Sequence, residues 1–94
     1  MKIRATVVVR GRVQGVAFRY HTARAAVQRQ LTGWVANQAD GSVQACFEGE
    51  EAEVLAMVQW CRRGPDLARV DELAERRGDY TGEFADFKIR DDRE

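Results

Sequence analysis

The sequence predicts an α+β sandwich in the order β-α-β-β-α-β, with two helices on one face of an antiparallel sheet. Three observations carry this. Residues 3–10 alternate apolar and polar side chains, the period-two pattern of a half-buried strand. Two later stretches, 18–30 and 50–63, repeat apolar residues at helical spacing along a single stripe, as a helix covering one sheet face requires. Between them Asp40-Gly41 separates two strand-like segments, a strong hairpin signal. Two split β-α-β halves of this kind form the ferredoxin-like arrangement.

Taken in order, the first strand has Ile3, Ala5, Val7 and Val9 on its apolar face. The first helix carries Ala23, Ala26 and Val27, with Leu31 completing the stripe before Thr32-Gly33 ends it. Residues 34–37 form a short strand, expected beside the first, on which Asn37 stands just before the turn. Strand 42–48 follows, with Val43, Ala45 and Phe47 on the face to be buried. Gly49 opens the second helix. Glu50, Glu51 and Glu53 lie in its first turn and Arg62 and Arg63 in its last, which suits the helix dipole at both ends. Val54, Met57, Val58 and Cys61 are its stripe, and Gly64-Pro65 stops it. Residues 68–75 read as a strand, but Val70 and Leu73 do not share one period-two face, so a bulge or a short helix is expected there. A loop over 76–82, a last strand over 84–90 and a polar tail over 91–94 complete one domain, 1–94.

The stretch with chemistry in it is Gly11-Arg12-Val13-Gln14-Gly15-Val16-Ala17-Phe18-Arg19, a glycine-bounded turn between the first strand and the first helix. Such a turn aims several backbone N–H groups into one concavity, and the positive end of the helix dipole adds to them. Arg19 stands near the first helical turn, and its planar fork can hold two oxygens of one anion. An oxyanion cradle with an arginine clamp is the reading, to be set against a plain connection with solvated arginines. The glycine spacing fits neither a dinucleotide fingerprint nor a Walker A loop.

Charge distribution favours the cradle. Residues 1–39 carry seven basic and no acidic residues, whereas 40–94 hold all 15 acids against the other eight bases. A positive field over the first part would concentrate small anions. Net charge is zero, which argues against bulk nucleic-acid binding. No apolar run is long enough to span a membrane and no leader pattern opens the chain, so a soluble, cytoplasmic protein acting as a monomer is expected. Cys46 and Cys61 lack metal-type spacing, and reduced core thiols are expected of them, with a bridge left open. His21 is the one histidine and no carboxylate spacing accompanies it, so no metal is expected.

On these residues the chain resembles the acylphosphatase family along nearly its full length. Gly-Arg-Val-Gln-Gly-Val-x-Phe-Arg stands at residues 11–19. Gly-x-Val-x-Asn-x-x-Asp-Gly-x-Val stands at Gly33, Val35, Asn37, Asp40, Gly41 and Val43, with Gly49 at the usual distance beyond. Gly64-Pro65 followed by Ala68-Arg69-Val70 is a weaker third match. Ala17 occupies a position where larger residues are frequent, and Asp66 one where proline is.

The resemblance implies hydrolysis of an acyl phosphate to carboxylate and inorganic phosphate, without metal, cofactor or covalent enzyme intermediate. It implies that the backbone of Arg12, Val13, Gln14, Gly15, Val16, Ala17 and Phe18, with Arg19, holds the phosphate. It also implies that Asn37 orients the attacking water. A neutral carboxamide offers a donor and an acceptor without repelling phosphate, which makes that role physically sensible. Outside the motif Asn37 would read as a turn residue, as Asp40 and Gly41 do here. His21 reads as a helix-surface residue, and Trp34 and Trp60 as packing. Two competing readings are a non-catalytic ferredoxin-like binding module, an RNA-recognition domain included as residues 15–20 suggest, and an acylphosphatase-like domain kept for anion binding or as a piece of a larger enzyme. The first suffers because the aromatic segment falls in a turn rather than on a central strand.

Overall fold

The structure, a computed structural model, describes residues 1–91. Its elements are β1 (Lys2–Arg12), α1 (Phe18–Gln28), β2 (Thr32–Asn37), β3 (Val43–Glu50), α2 (Glu51–Arg63), β4 (Arg69–Asp79) and β5 (Phe87–Asp91). The sheet order is β4-β1-β3-β2-β5. Register follows the expected alternation: Ala5, Val7 and Val9 of β1 face Phe47, Ala45 and Val43 of β3, which face Gly33, Val35 and Asn37 of β2. On this face both helices build one core, with Val54, Met57, Val58 and Cys61 from α2 and Phe18 and Ala26 from α1. Full burial of each valine, methionine or phenylalanine there contributes about 1.5–3 kcal/mol.

The fold class is the expected one, and the residues correct it in detail. Pairing is antiparallel except at the added edge strand, where β5 runs parallel to β2, so the sheet is mixed. Asn37 is not on a neighbour of β1, because β3 lies between. Gly49 belongs to β3 and helix α2 starts at Glu51. Helix α1 ends at Gln28: Gln30 turns left-handed at φ 59°, its N–H donates to Val27 O, and Leu31 N–H returns to Ala26 O at 2.9 Å. This is a Schellman close with glutamine in the usual glycine place. The buried stripe of α1 is Phe18, Thr22 and Ala26, rotated from the one expected, and Val27 is exposed. Thr22 escapes an apolar search, yet it buries its hydroxyl by donating to Phe18 O at 2.7 Å.

The expected loop over 76–82 is strand as far as Asp79, pairing Arg76, Arg77, Gly78 and Asp79 with β1. Charged residues on an edge strand hide the alternation while guarding the edge against further pairing. The anticipated bulge is real. Register shifts between Arg10 and Gly11, leaving Asp71 outside the pairing and returning Val70 and Leu73 to the core side. Gly11 tolerates the resulting close approach, since a Cβ there would stand 2.2 Å from Arg69 O. Strand β5 starts at Phe87 rather than 84. The polar tail expected over 91–94 lies outside the described residues except for Asp91, which closes β5.

Strands β4 and β5 occupy opposite edges, so their connection crosses the sheet on the face away from the helices. Glu48 pins it there. Its carboxylate, 1% exposed, accepts Arg4 Nε at 2.7 Å, Thr81 N at 3.0 Å, Thr81 Oγ1 at 2.9 Å and Gly82 N at 3.1 Å. Burial pushes the Glu48 carboxyl up. The hydrogen bonds from Arg4, Thr81 and Gly82 outweigh it and hold the group below the ordinary glutamate range. Cys46 and Cys61 are both unpaired and buried, on opposite faces of the sheet. Burial raises both thiols, Cys61 to about 12, which removes thiolate reactivity at neutral pH.

Candidate functional site

Strand β1 ends at Arg12 and the chain bends through residues 13–17 into α1. Gly15 takes φ 75°, a conformation that favours glycine. Ala17 takes φ 60° and ψ 26° at the N-cap of α1 with no side chain capping the helix. A non-glycine residue held left-handed costs of order 1 kcal/mol or more, and such strain concentrates at working sites. Its effect is to keep donors open. Among the described residues no backbone N–H from Gly15 to Tyr20 donates to a protein acceptor; the next, His21 N–H, closes the first turn on Ala17 O.

Two neighbours complete the concavity. Arg19 donates from Nη1 to Arg90 O at 2.9 Å, and no described carboxylate pairs with it. Its guanidinium is thus aimed by a backbone carbonyl, with no described counter-charge beside it. Asn37 ends β2 on the helix side of the sheet, one alternation beyond the core residue Val35. It is 4% exposed, and its carboxamide makes no hydrogen bond among the described residues. A cavity of about 200 Å³ is lined by Val13, Gly15, Ala17, Phe18, Arg19, Tyr20, Asn37 and Ile89.

Six of the residues singled out in the sequence therefore meet at one cavity. Three do not. Arg12 is exposed at the end of β1, and Val16 is buried toward a neighbouring groove. Gln14 acts through its side chain rather than its backbone alone: Nε2 donates to Gln38 O at 2.8 Å and Ser42 O at 2.9 Å, tying the loop to the β2–β3 turn. That turn is closed by Asp40, which accepts from Ser42 Oγ, Ser42 N and Arg10 Nη1. The Ser42 hydroxyl, then the Ser42 N–H and Arg10, hold the Asp40 carboxyl down at about 2, so it is ionised at neutral pH. Tyr20 and Ile89 were missed. Ile89 reaches the cavity through the parallel β2–β5 pairing, for which the sequence carries no signal.

Among the described residues no three His, Cys, Asp or Glu side chains group as metal ligands, and no helix is long and apolar enough to cross a membrane. Residues 15–20 lie in the loop and first turn of α1 and Phe47 is buried, so neither offers a base-stacking platform.

A sequence model of the family Acylphosphatase matches residues 5–89. The chain belongs to the acylphosphatase family. An acylphosphatase of Geobacter sulfurreducens is 56% identical over 90 residues, covering 96% of this chain and 99% of that relative. The solved acylphosphatase of Coxiella burnetii superposes with a TM-score of 0.89 at 32% identity, over 95% of this chain and 93% of that one. That of Bacillus subtilis gives 0.88 at 32%, over 93% and 97%. Acylphosphatase activity, hydrolysis of an acid anhydride, goes with the family, and a small acyl phosphate is its substrate.

The Gln14 tie holds the loop against the β2–β3 turn. Gln14→Ala deletes two hydrogen bonds worth about 1 kcal/mol each and leaves the residue's own backbone in place. The expected outcome is roughly a tenfold rise in KM for acetyl phosphate with a smaller change in kcat. Steady-state kinetics of the variant checks it, and an unchanged KM would count against the tie.

Proposed function

We propose that the cavity at the start of α1 is the catalytic site and that the protein hydrolyses acyl phosphates there by direct attack of water. The observation that carries this is Asn37. The residue is 4% exposed, yet its carboxamide makes no hydrogen bond among the described residues and is no buried orphan, so its donor and acceptor stand open to a ligand or water. It borders the cavity that Gly15, Ala17 and Arg19 also line.

The N–H groups from Gly15 to Tyr20 and the Arg19 fork bind the phosphoryl oxygens. Asn37 holds a water for in-line attack, accepting from one of its protons. A P–O bond forms to the water oxygen, and the P–O bond to the acyl oxygen breaks with its electron pair leaving as carboxylate. The water's proton passes to a phosphoryl oxygen, so acyl phosphate and water yield carboxylate and dihydrogen phosphate. The leaving group is already good, and positioning with charge stabilisation suffices. No side chain serves as general base and no metal takes part. We also take the protein to act as a monomer in the cytoplasm, a setting that its two unpaired cysteines suit.

The deciding experiment is hydrolysis of benzoyl phosphate by the purified protein, with and without a chelator, beside Asn37→Ala. Expected are turnover indifferent to the chelator and a loss in kcat of about 10²-fold in the variant. Loss of turnover with chelator, or an Asn37→Ala enzyme as fast as the parent, would sink the assignment.

A further inference from the structure

A larger groove, about 540 Å³, lies beside the catalytic cavity between the C-terminal end of α2 and the connection to β4. Its apolar walls are Ala17, Trp60, Pro65 and Leu67, and its rim carries His21 and Arg63. Ala17 lines both the groove and the catalytic cavity, so the two share a wall. Trp60 is fixed by edge contact with Phe18 at 5.9 Å between ring centres, and Leu67 is 74% exposed, an apolar side chain left in water.

Geometry decides what this groove receives. Asn37 and Ile89 border the catalytic cavity from the β2–β5 side. Attacking and leaving oxygens stand about opposite one another across phosphorus in phosphoryl transfer. Water held on the Asn37 side therefore sends the acyl group to the α2 side, past Ala17. A larger residue than alanine at that position would narrow the way. The groove also takes in Asp66 opposite the charge of Arg63, so it offers a charged acyl chain no net attraction.

We propose that this groove is the acyl subsite, and that Trp60 and Leu67 select bulky apolar acyl phosphates, aryl or branched alkyl, over acetyl phosphate. The proposal rests on the catalytic reading above. Contact with a part of the substrate remote from phosphorus is read in kcat/KM.

The test compares kcat/KM for benzoyl phosphate and acetyl phosphate in the parent, Leu67→Glu and Val27→Glu. Val27 is exposed on α1 near a second apolar patch formed with Tyr20 and Ile89 on the Asn37 side. Leu67→Glu should lower the benzoyl-to-acetyl ratio about tenfold, the scale of a lost methylene-sized contact or two, and Val27→Glu should leave it at the parent value. Leu67→Ser, without the added charge, should shift it less in the same direction. A ratio unchanged in both Leu67 variants, or lowered in Val27→Glu instead, overturns the subsite while the parent's turnover keeps the catalytic reading. A folded parent that hydrolyses neither substrate rejects the catalytic reading itself.

Discussion

Arg19→Ala should lower kcat/KM for acyl phosphates by 10²–10³-fold or more, roughly 3–4 kcal/mol in the barrier, as loss of one preorganised oxyanion donor does. The fold should survive, because among the described residues the side chain makes one hydrogen bond, to Arg90 O, worth about 1 kcal/mol. The separation of these two magnitudes is what identifies a substrate-binding cation rather than a structural one. Arg19→Lys should fail nearly as badly. An ammonium is a point charge and cannot both donate to Arg90 O and span two phosphoryl oxygens as the planar fork does. Kinetics with benzoyl phosphate, thermal melting and inorganic-phosphate binding measured on the same preparations check all three statements. A lysine variant retaining half of the parent activity would reduce Arg19 to a source of positive potential.

The architecture was legible where one element answers to one periodic signal. The Asp40-Gly41 turn joins β2 to β3, and Ala5, Val7 and Val9 of β1 and the α2 stripe of Val54, Met57, Val58 and Cys61 are buried as their spacing requires. Even the bulge at Asp71 was visible, as a clash of faces between Val70 and Leu73. What failed had a second cause. Helix α1 buries Thr22 and exposes Val27 because its core stripe runs Phe18, Thr22, Ala26 at i, i+4, i+8, and a polar Thr22 hides that stripe from an apolar search. Residues 76–79 pair at an edge where neither face needs to be apolar.

At the site, Arg19 and Asn37 were recognisable through motif spacing, but the physics joining them is tertiary. Asn37 reaches the cavity from a strand two places away from β1, on the helix face by register. The Gln14 tie depends on the hairpin folding back within 2.8–2.9 Å of the loop. Side chains that hold other segments in place leave no periodic trace.

Glu48 is the extreme instance, and Glu48→Ala should be the most destabilising substitution named here. It sits on the face of β3 opposite Val43, Ala45 and Phe47, where the alternation gives no sign of burial, yet it is 1% exposed. Removing its carboxylate leaves part-buried Arg4 with the half-exposed Glu83 at 3.1 Å as its remaining described counter-charge and takes the acceptor from the Thr81 and Gly82 N–H groups. Leaving several part-buried donors unsatisfied, at about 1–3 kcal/mol each, costs about 3 kcal/mol or more in total. In a domain of this size that lowers the melting temperature by roughly 12 °C or more. The pH dependence has a definite sign. The folded-state Glu48 carboxyl lies below its ordinary value of 4.5. Its contribution is therefore complete above that pH and is lost as pH falls through the folded-state value. Glu48→Gln, with no carboxyl to protonate, should show its largest stability deficit near neutrality and approach the parent in acid. Catalysis per folded molecule should be untouched in both variants, since Glu48 faces away from the helices and from Asn37. Denaturant melts of parent, Ala and Gln forms across this pH range, with activity assayed well below each melting point, decide the matter. A deficit for Glu48→Gln that stays constant into acid would mean that Glu48 contributes shape rather than charge.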